Sequence, residues 1–196
     1  LLARLLGHQN WIPFGRHRMV RMLANPARMR QTFFSTEFFG KTYRGDLSNH
    51  IDWSVYMFGS YASHELYLLR DLANALRQAK PSLTLFDVGA NVGQHTLFMS
   101  AFVDHVYAFE PYEPVRLRLQ EKIVDNALSN VTVFPMGLGN ENSLLRFHAP
   151  TTHNAGKGSF ALLDDNDTLR LMVRRGDDVI AENSLQPIDL LKIDVE

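Results

Sequence analysis

The sequence predicts an α/β fold built on a doubly wound parallel sheet, with an N-terminal extension of helices and a hairpin. From residue 83 onward, short apolar runs typical of buried strands alternate with stretches that have the 3.6-residue period of helices. A glycine-containing turn directly follows the first apolar run, as in units where a strand passes into a helix. Strand and helix that alternate in this way form parallel βαβ units.

The first part of the chain, residues 1–80, is predicted to be a helical and aromatic-rich N-terminal region. Its first 30 residues form short helical pieces that are interrupted by prolines and a glycine. Residues 31–58 are rich in aromatic side chains and contain a Gly-Asp turn, which predicts a hairpin or short strands. Residues 63–79 form an amphipathic helix with leucines at helical spacing, and Pro81 ends it.

The second part, residues 81–196, is predicted to be the α/β domain. Its predicted strands cover residues 83–88, 105–110, 131–138, 143–150 and 188–195, and its predicted helices cover 95–103 and 113–127. The segment 151–187 is polar and irregular apart from an apolar stretch at 169–173. Ligands of such sheets bind outside the carboxyl ends of the strands, where the conspicuous polar residues of this domain fall.

Composition limits the classes of function. The chain has 196 residues, 45% of them hydrophobic, and a formal net charge of −1. The absence of cysteine excludes disulfides, thiolate zinc sites and a cysteine nucleophile, and predicts a cytoplasmic location. No apolar run approaches the ~20 residues of a transmembrane helix, so no transmembrane segment is expected.

The charge is unevenly distributed. No acidic residue occurs before Glu37, whereas this stretch contains the arginines 4, 16, 18, 21, 28 and 30. These arginines form either a solvated helical face or a patch that binds an acidic substrate, a nucleic-acid phosphate or a membrane surface. Because the chain does not begin with methionine and stops at "LLKIDVE", we expect a fragment.

The glycine turn, residues 86–96 ("FDVGANVGQHT"), departs from the pattern that binds a dinucleotide. A dinucleotide turn has the pattern G-x-G-x-x-G, and here Asn91 and Gln94 replace the second and third glycines. What remains is Asp87-x-Gly89-x-Asn91-x-Gly93. An aspartate at the strand end favours a ligand with ammonium and hydroxyl groups and repels a phosphate.

A second acid strengthens this interpretation. Glu110 ends the next strand, ~20 residues after the first glycine, where an acid accepts hydrogen bonds from ribose hydroxyls. The free N–H groups of the helix after Gly93 favour a carboxylate. A ligand that has both an amino-acid head and a ribose meets these demands, and S-adenosylmethionine is such a ligand.

Three segments of the sequence resemble a known family. The segments "FDVGANVGQHTLFMS", "VYAFEP" and "IDLLKIDVE" are similar to the FkbM-type methyltransferases, a branch of the Rossmann-like class I enzymes that use S-adenosylmethionine. The resemblance covers residues 83–196, and "NAGKGSF" matches the family's N-x-G-x-x-S stretch loosely. In the family, further strands follow "KIDVE", so the resemblance implies a fragment whose sheet is incomplete. Residues before the core often form a cap in this family, which the resemblance implies for residues 1–80.

The resemblance implies roles for individual residues. The methionine end of the cofactor would be lined by Asp87, Gly89, Asn91 and Gly93. Glu110 would bind the ribose hydroxyls, with Pro111 beside the adenine. Met136 and Gly137 would flank the adenine after the third strand. Asp194 would face the methyl group or the acceptor.

Methyl transfer to an alcohol is assisted by a general base, because an unassisted hydroxyl is a poor nucleophile near neutral pH. Asp194 and His153 are the predicted catalytic residues, and His148 and Glu196 are further candidates. Asp194 and Glu196 share one face of a strand, but no third ligand is visible, so no metal is expected.

The acceptor class is narrowed by two missing features. The fourth strand ends in "IDVE" where amino methylation of bases uses an Asn/Asp-Pro-Pro-aromatic turn, and cytosine C5 methylation needs a cysteine. The family resemblance implies instead O-methylation of a hydroxyl on a saccharide or secondary metabolite, with no nucleic-acid partner. A NAD-dependent oxidoreductase and a non-enzymatic module that binds anions or membranes stay as alternatives.

Overall fold

A computed structural model of the chain describes residues 2–9, 15–149 and 169–195. The described residues form two compact units, with the boundary between Ala62 and Ser63. The helix that begins at Ser63 is therefore grouped with the second unit, whereas the boundary predicted at residue 80 groups it with the first. No helix in the described ranges is both long enough and apolar enough to cross a bilayer.

The described residues of the N-terminal unit, 2–9 and 15–62, form three α-helices and one hairpin. They are α1 Leu2–Gly7, α2 Arg16–Leu23, a 3-10 turn at Pro26–Arg28, β1 Phe33–Phe38, β2 Lys41–Asp46 and α3 His50–Phe58. The strands β1 and β2 pair antiparallel, which confirms the predicted hairpin. Large aromatic side chains form much of the interior of the unit, with Phe38, Tyr43 and Trp53 at most 1% exposed.

The helix α3 lies within residues 31–58, for which the sequence predicted only a hairpin or strands. Asn49 starts the helix, because its side-chain oxygen accepts the N–H groups of Ile51 and Asp52. Gly59 ends it in a left-handed conformation. The aromatic content of the segment indicated strands, but these two capping residues decided the local structure.

The second unit contains the remaining elements. They are α4 Ser63–Arg77, β3 Thr84–Val88, α5 Gln94–Met99, β4 His105–Phe109, α6 Glu113–Asp125, β5 Val131–Phe134, β6 Gly137–Gly139, β7 Ser143–Arg146, β8 Arg170–Arg175, α7 Gly176–Asn183 and β9 Leu190–Ile193. The predicted third strand is divided into β5 and β6 at Pro135. The helix α7 lies in a segment that the sequence predicted to be irregular.

The central sheet has the strand order β5-β4-β3-β9, and every neighbouring pair is parallel. A second sheet has the order β6-β8-β7.

Helices cover both faces of the central sheet. Side chains alternate between the faces along a strand, so Phe109 and Ala108 of β4 point to opposite faces. Phe109 belongs to a cluster with Val179 of α7, and Ala108 belongs to a cluster with Leu119 of α6. This arrangement confirms the predicted doubly wound α/β fold.

Candidate cofactor and methyl-transfer site

The loop between β3 and α5 is a tight turn at the carboxyl end of the sheet. Its first, third and fifth residues have positive φ angles, at 75° for Gly89, 51° for Asn91 and 85° for Gly93. Glycine enters this left-handed region freely, and asparagine tolerates it better than most residues. The spacing Gly-x-Asn-x-Gly therefore specifies the backbone of the turn, so Asn91 has a conformational role besides the predicted role in lining the cofactor.

Backbone hydrogen bonds hold this turn against the neighbouring strand. The N–H groups of Gly89 and Ala90 both donate to the carbonyl oxygen of Phe109 at 3.0 Å. Phe109 is the last residue of β4, so the turn and the end of β4 form one rigid edge. Glu110 follows directly at this edge.

Glu110 lies beside the turn and is 7% exposed. Its Oε2 accepts the N–H of Asn91, and its Oε1 accepts the N–H of Tyr112, each at 2.9 Å. Burial raises the pKa of the Glu110 carboxyl, and these two N–H donors oppose the rise without cancelling it. Since each carboxylate oxygen has two lone pairs, both oxygens can still accept a hydrogen bond from a hydroxyl group of a ligand.

Asp87 lies beneath the turn and is fully buried. Its Oδ2 accepts the hydroxyl of Thr96 at 2.7 Å, and its Oδ1 lies 3.1 Å from Nζ of Lys192. Lys192 also donates to the carbonyl oxygen of Gly89 at 3.1 Å. Lys192 was not among the residues predicted for the site, although its place two residues before Asp194 puts it on the same side of β9.

Asp194 comes directly after β9 and lies against the glycine turn. Its N–H donates to the carbonyl oxygen of Val88 at 3.0 Å. A Cβ built on Gly89 would lie 2.1 Å from the carbonyl oxygen of Asp194, so only glycine permits this approach. The Asp194 side chain is 68% exposed and its Oδ2 lies 3.8 Å from Nζ of Lys192. The structure thus places Asp194 beside Gly89 with an accessible carboxylate.

Two of the residues predicted to flank the adenine lie together. A Cβ built on Gly137 would lie 3.8 Å from Cγ of Pro111, in ordinary van der Waals contact. Met136 is partly buried and packs against the cluster that lies on the α7 face of the sheet, formed by Phe86, Val88, Phe109, Phe134 and Val179. Pro111 and Gly137 therefore line the same edge as Glu110, whereas Met136 packs against the core.

Two of the proposed bases lie outside the described residues, namely His153 and Glu196. A further candidate base, His148, is half-buried and lies two residues after the end of β7. Among residues 2–9, 15–149 and 169–195, no three histidine or acidic side chains cluster in a way that could hold a metal ion.

The glycine turn, Glu110 and Asp194 lie at the carboxyl ends of the strands of a parallel α/β sheet, where the ligands of such sheets bind. Residues 87–196 match the family described as "Methyltransferase FkbM domain". The chain belongs to this family. This membership confirms the family predicted from the sequence and, with it, S-adenosylmethionine as the cofactor.

A curated relative and two solved structures are similar to parts of the chain. The AMB antimetabolite synthetase AmbE of Pseudomonas aeruginosa is 30% identical, over 59% of this chain and 7% of that protein. A SAM-dependent methyltransferase from Agrobacterium tumefaciens is 15% identical, with a TM-score of 0.41 over 57% of this chain and 34% of that chain. TYW2 of M. jannaschii, solved in complex with AdoMet, is 19% identical, with a TM-score of 0.36 over 54% of this chain and 44% of that chain. The chain thus spans only a small part of AmbE and less than half of each solved chain.

The polar groups of the site fit this cofactor. Glu110 and Asp194 supply carboxylates at the edge of the sheet, whereas Asp87 is paired with Lys192, so the site offers acceptors to cations and hydroxyl donors. S-adenosylmethionine has a sulfonium, an ammonium group and two ribose hydroxyls, whereas a pyrophosphate would meet like charges here. The acceptor-rich edge therefore disfavours the nicotinamide alternative.

Glu110→Gln is expected to weaken binding of S-adenosylhomocysteine roughly ten- to hundredfold. The amide loses the negative charge, and its NH2 group cannot accept a ribose hydroxyl, so a charge-assisted hydrogen bond to the ligand worth about 1.5–3 kcal/mol is lost. Isothermal titration calorimetry measures the affinity, with Glu113→Gln as a control because Glu113 is an exposed glutamate of the following helix. Equal affinity in Glu110→Gln and the wild type would contradict a ribose-binding role for Glu110.

Proposed function

We propose that this protein is an S-adenosylmethionine-dependent O-methyltransferase that acts on a hydroxyl group of a saccharide or secondary metabolite. The observation that carries the proposal is the accessible carboxylate of Asp194, which lies against the cofactor turn in a chain of the FkbM family. A carboxylate at this position can take the proton of an alcohol while the oxygen accepts the methyl group. The absence of cysteine is compatible with the predicted cytoplasmic location.

The chain's own residues have two tasks in this reaction. When bound, S-adenosylmethionine supplies a methyl group on a sulfonium, which is already a strong electrophile. The protein therefore mainly orients the reactants: the glycine turn and Glu110 hold the cofactor, and Asp194 accepts the hydroxyl proton of the acceptor. Asp194 is the catalytic residue of this proposal. His153 stays the second candidate base, predicted from the sequence alone.

Two features support a small-molecule acceptor. The chain lacks both the Asn/Asp-Pro-Pro-aromatic turn and the cysteine that base methylation uses. The similar protein AmbE is named as an antimetabolite synthetase, which favours a secondary metabolite as the acceptor. We therefore propose a hydroxyl-bearing small molecule or saccharide, and not a nucleic acid, as the partner.

The proposal is tested with S-adenosylmethionine that carries a labelled methyl group. We expect label in hydroxyl-bearing saccharides or secondary metabolites, as a methyl ether that mild base does not hydrolyse, and none in tRNA or DNA. Asp194→Asn should lower turnover by about 10²–10⁴-fold, the usual contribution of a general base. Its affinity for S-adenosylhomocysteine should stay at the wild-type value.

Two outcomes would contradict this function. Label in tRNA or DNA would show that the acceptor is a nucleic acid and not a small molecule. Full turnover by Asp194→Asn would show that Asp194 is not the general base. Calorimetric titration with S-adenosylhomocysteine, NAD and anionic lipid vesicles separates the enzyme from the two alternatives. We expect heat with the first ligand only. Heat with NAD alone would support an oxidoreductase, and heat with vesicles alone a non-enzymatic membrane-binding module.

A further inference from the structure

The carboxylate expected to meet the methionine end of the cofactor is already engaged within the protein. Asp87 has no exposed surface: its Oδ2 accepts the Thr96 hydroxyl at 2.7 Å, and its Oδ1, which accepts no hydrogen bond from the described residues, lies 3.1 Å from Lys192 Nζ in an ion pair. A ligand ammonium group could reach Asp87 only by displacing Lys192 from a buried ion pair. That exchange is costly, because a buried charge that loses its partner is strongly destabilising.

A second acid lies at this end of the turn and is accessible. Glu65, in the first turn of α4, has a side chain that is 48% exposed, and its Oε2 lies 3.4 Å from Nε2 of His95. His95 lies two residues after Gly93, at the start of α5. His95 also interacts electrostatically with Asp87, Lys192 and Asp194. Glu65 and His95 therefore lie next to the glycine turn.

His95 is held in a form that does not neutralise Glu65. The residue is 7% exposed, and its Nε2 is enclosed and makes no hydrogen bond to the described residues. Burial lowers the pKa of His95; Lys192 lowers it further, and the carboxylates of Asp87, Glu65 and Asp194 oppose the shift without overcoming it. At neutral pH the imidazole is therefore uncharged. The other oxygen of Glu65, Oε1, lies 3.7 Å from Nε2 of the exposed His64 ring.

We propose that Glu65, oriented by His95, binds the ammonium group of the methionine part of S-adenosylmethionine. His95 is a positioning residue, because its buried ring lies against the Glu65 carboxylate, with Nε2 3.4 Å from Oε2, and limits where that carboxylate can turn. Asp87 then stabilises the turn and does not contact the ligand: it pairs with Lys192, which donates to the carbonyl oxygen of Gly89. This inference rests on the cofactor of the proposed function and names the acid that recognises the cofactor's amino-acid head.

Two ligands test this assignment. S-adenosylhomocysteine has the amino-acid head, and 5′-methylthioadenosine has the same adenosine and thioether without it. In calorimetry, Glu65→Gln should bind S-adenosylhomocysteine roughly ten- to hundredfold more weakly than the wild type does, as expected for loss of a charge-assisted hydrogen bond. The affinity for 5′-methylthioadenosine should not change. His95→Asn should give a smaller loss for the first ligand only.

The control variant is Asp71→Asn, because Asp71 is an exposed acid on the same helix whose Oδ1 lies 2.8 Å from Arg70. It should bind both ligands as the wild type does, and thermal melting checks that all variants are folded. The assignment is overturned if Glu65→Gln keeps the wild-type affinity for S-adenosylhomocysteine, or if it weakens both ligands equally. Failure of the wild type to bind S-adenosylhomocysteine would instead overturn the cofactor of the proposed function.

Discussion

Lys192→Met is expected to destabilise the protein by about 3–5 kcal/mol, because it leaves the fully buried Asp87 carboxylate without its cation. The lysine side chain is only 11% exposed, so water cannot replace it. Its loss also frees the carbonyl oxygen of Gly89, and we expect weaker binding of S-adenosylhomocysteine for that reason. Denaturation in guanidinium chloride measures the free energy of unfolding, and calorimetry measures the affinity.

A matched pair at the other end of the same strands provides the control. Lys80 forms an ion pair with Asp189, but the Lys80 side chain is 48% exposed. The Asp189 side chain is only 7% exposed but keeps the Thr84 N–H as a partner, so Lys80→Met should cost less than Lys192→Met, about 1–2 kcal/mol, and leave cofactor affinity unchanged. Adding Asp87→Asn to Lys192→Met should recover part of the lost stability, since the uncompensated charge is removed. If Lys192→Met lowers the free energy of unfolding no more than Lys80→Met does, the buried pair does not stabilise the protein more than the half-exposed pair.

Gly89→Ala is expected to destabilise the protein by about 2–5 kcal/mol and to abolish binding of S-adenosylhomocysteine. The left-handed backbone alone costs an alanine about 1–2 kcal/mol, and overpacking adds about 1–3 kcal/mol. The new Cβ would lie 2.1 Å from a backbone oxygen, the carbonyl of Asp194, which can move only if the end of β9 moves. The same denaturation and calorimetric measurements apply.

Two other glycines with positive φ angles separate these effects. Gly40 has a φ of 78° and nothing within 4 Å of a built Cβ, so Gly40→Ala should show only the backbone cost. A Cβ on Gly93 would lie 2.3 Å from Cδ1 of Leu119, a side-chain end that can rotate. The expected order of destabilisation is Gly89→Ala, then Gly93→Ala, then Gly40→Ala. If Gly89→Ala costs no more than Gly40→Ala, the close approach of Asp194 to the turn is wrong.

Much of the α/β unit could be predicted because its signals are local. Strand and helix periods of neighbouring residues indicated α4, β3, β4 and α6 within a few residues of their observed bounds. Where a signal came from one capping residue or one proline, prediction was weaker: α3 depends on Asn49, and β5 ends just before Pro135. The helix α7 was missed because only Val179 of its residues is buried and its amphipathic pattern is weak.

The sequence by itself determined the parallel α/β order, the glycine turn, the acid after β4 and membership of the FkbM family. These features depend on spacing along one short segment, and spacing is visible in a sequence. Only the tertiary structure decided that Lys192 pairs with Asp87 and that Glu65 stands beside His95. Those contacts join elements that are far apart in the chain, and they exist because β9 aligns parallel to β3 in one register and α4 packs on α5.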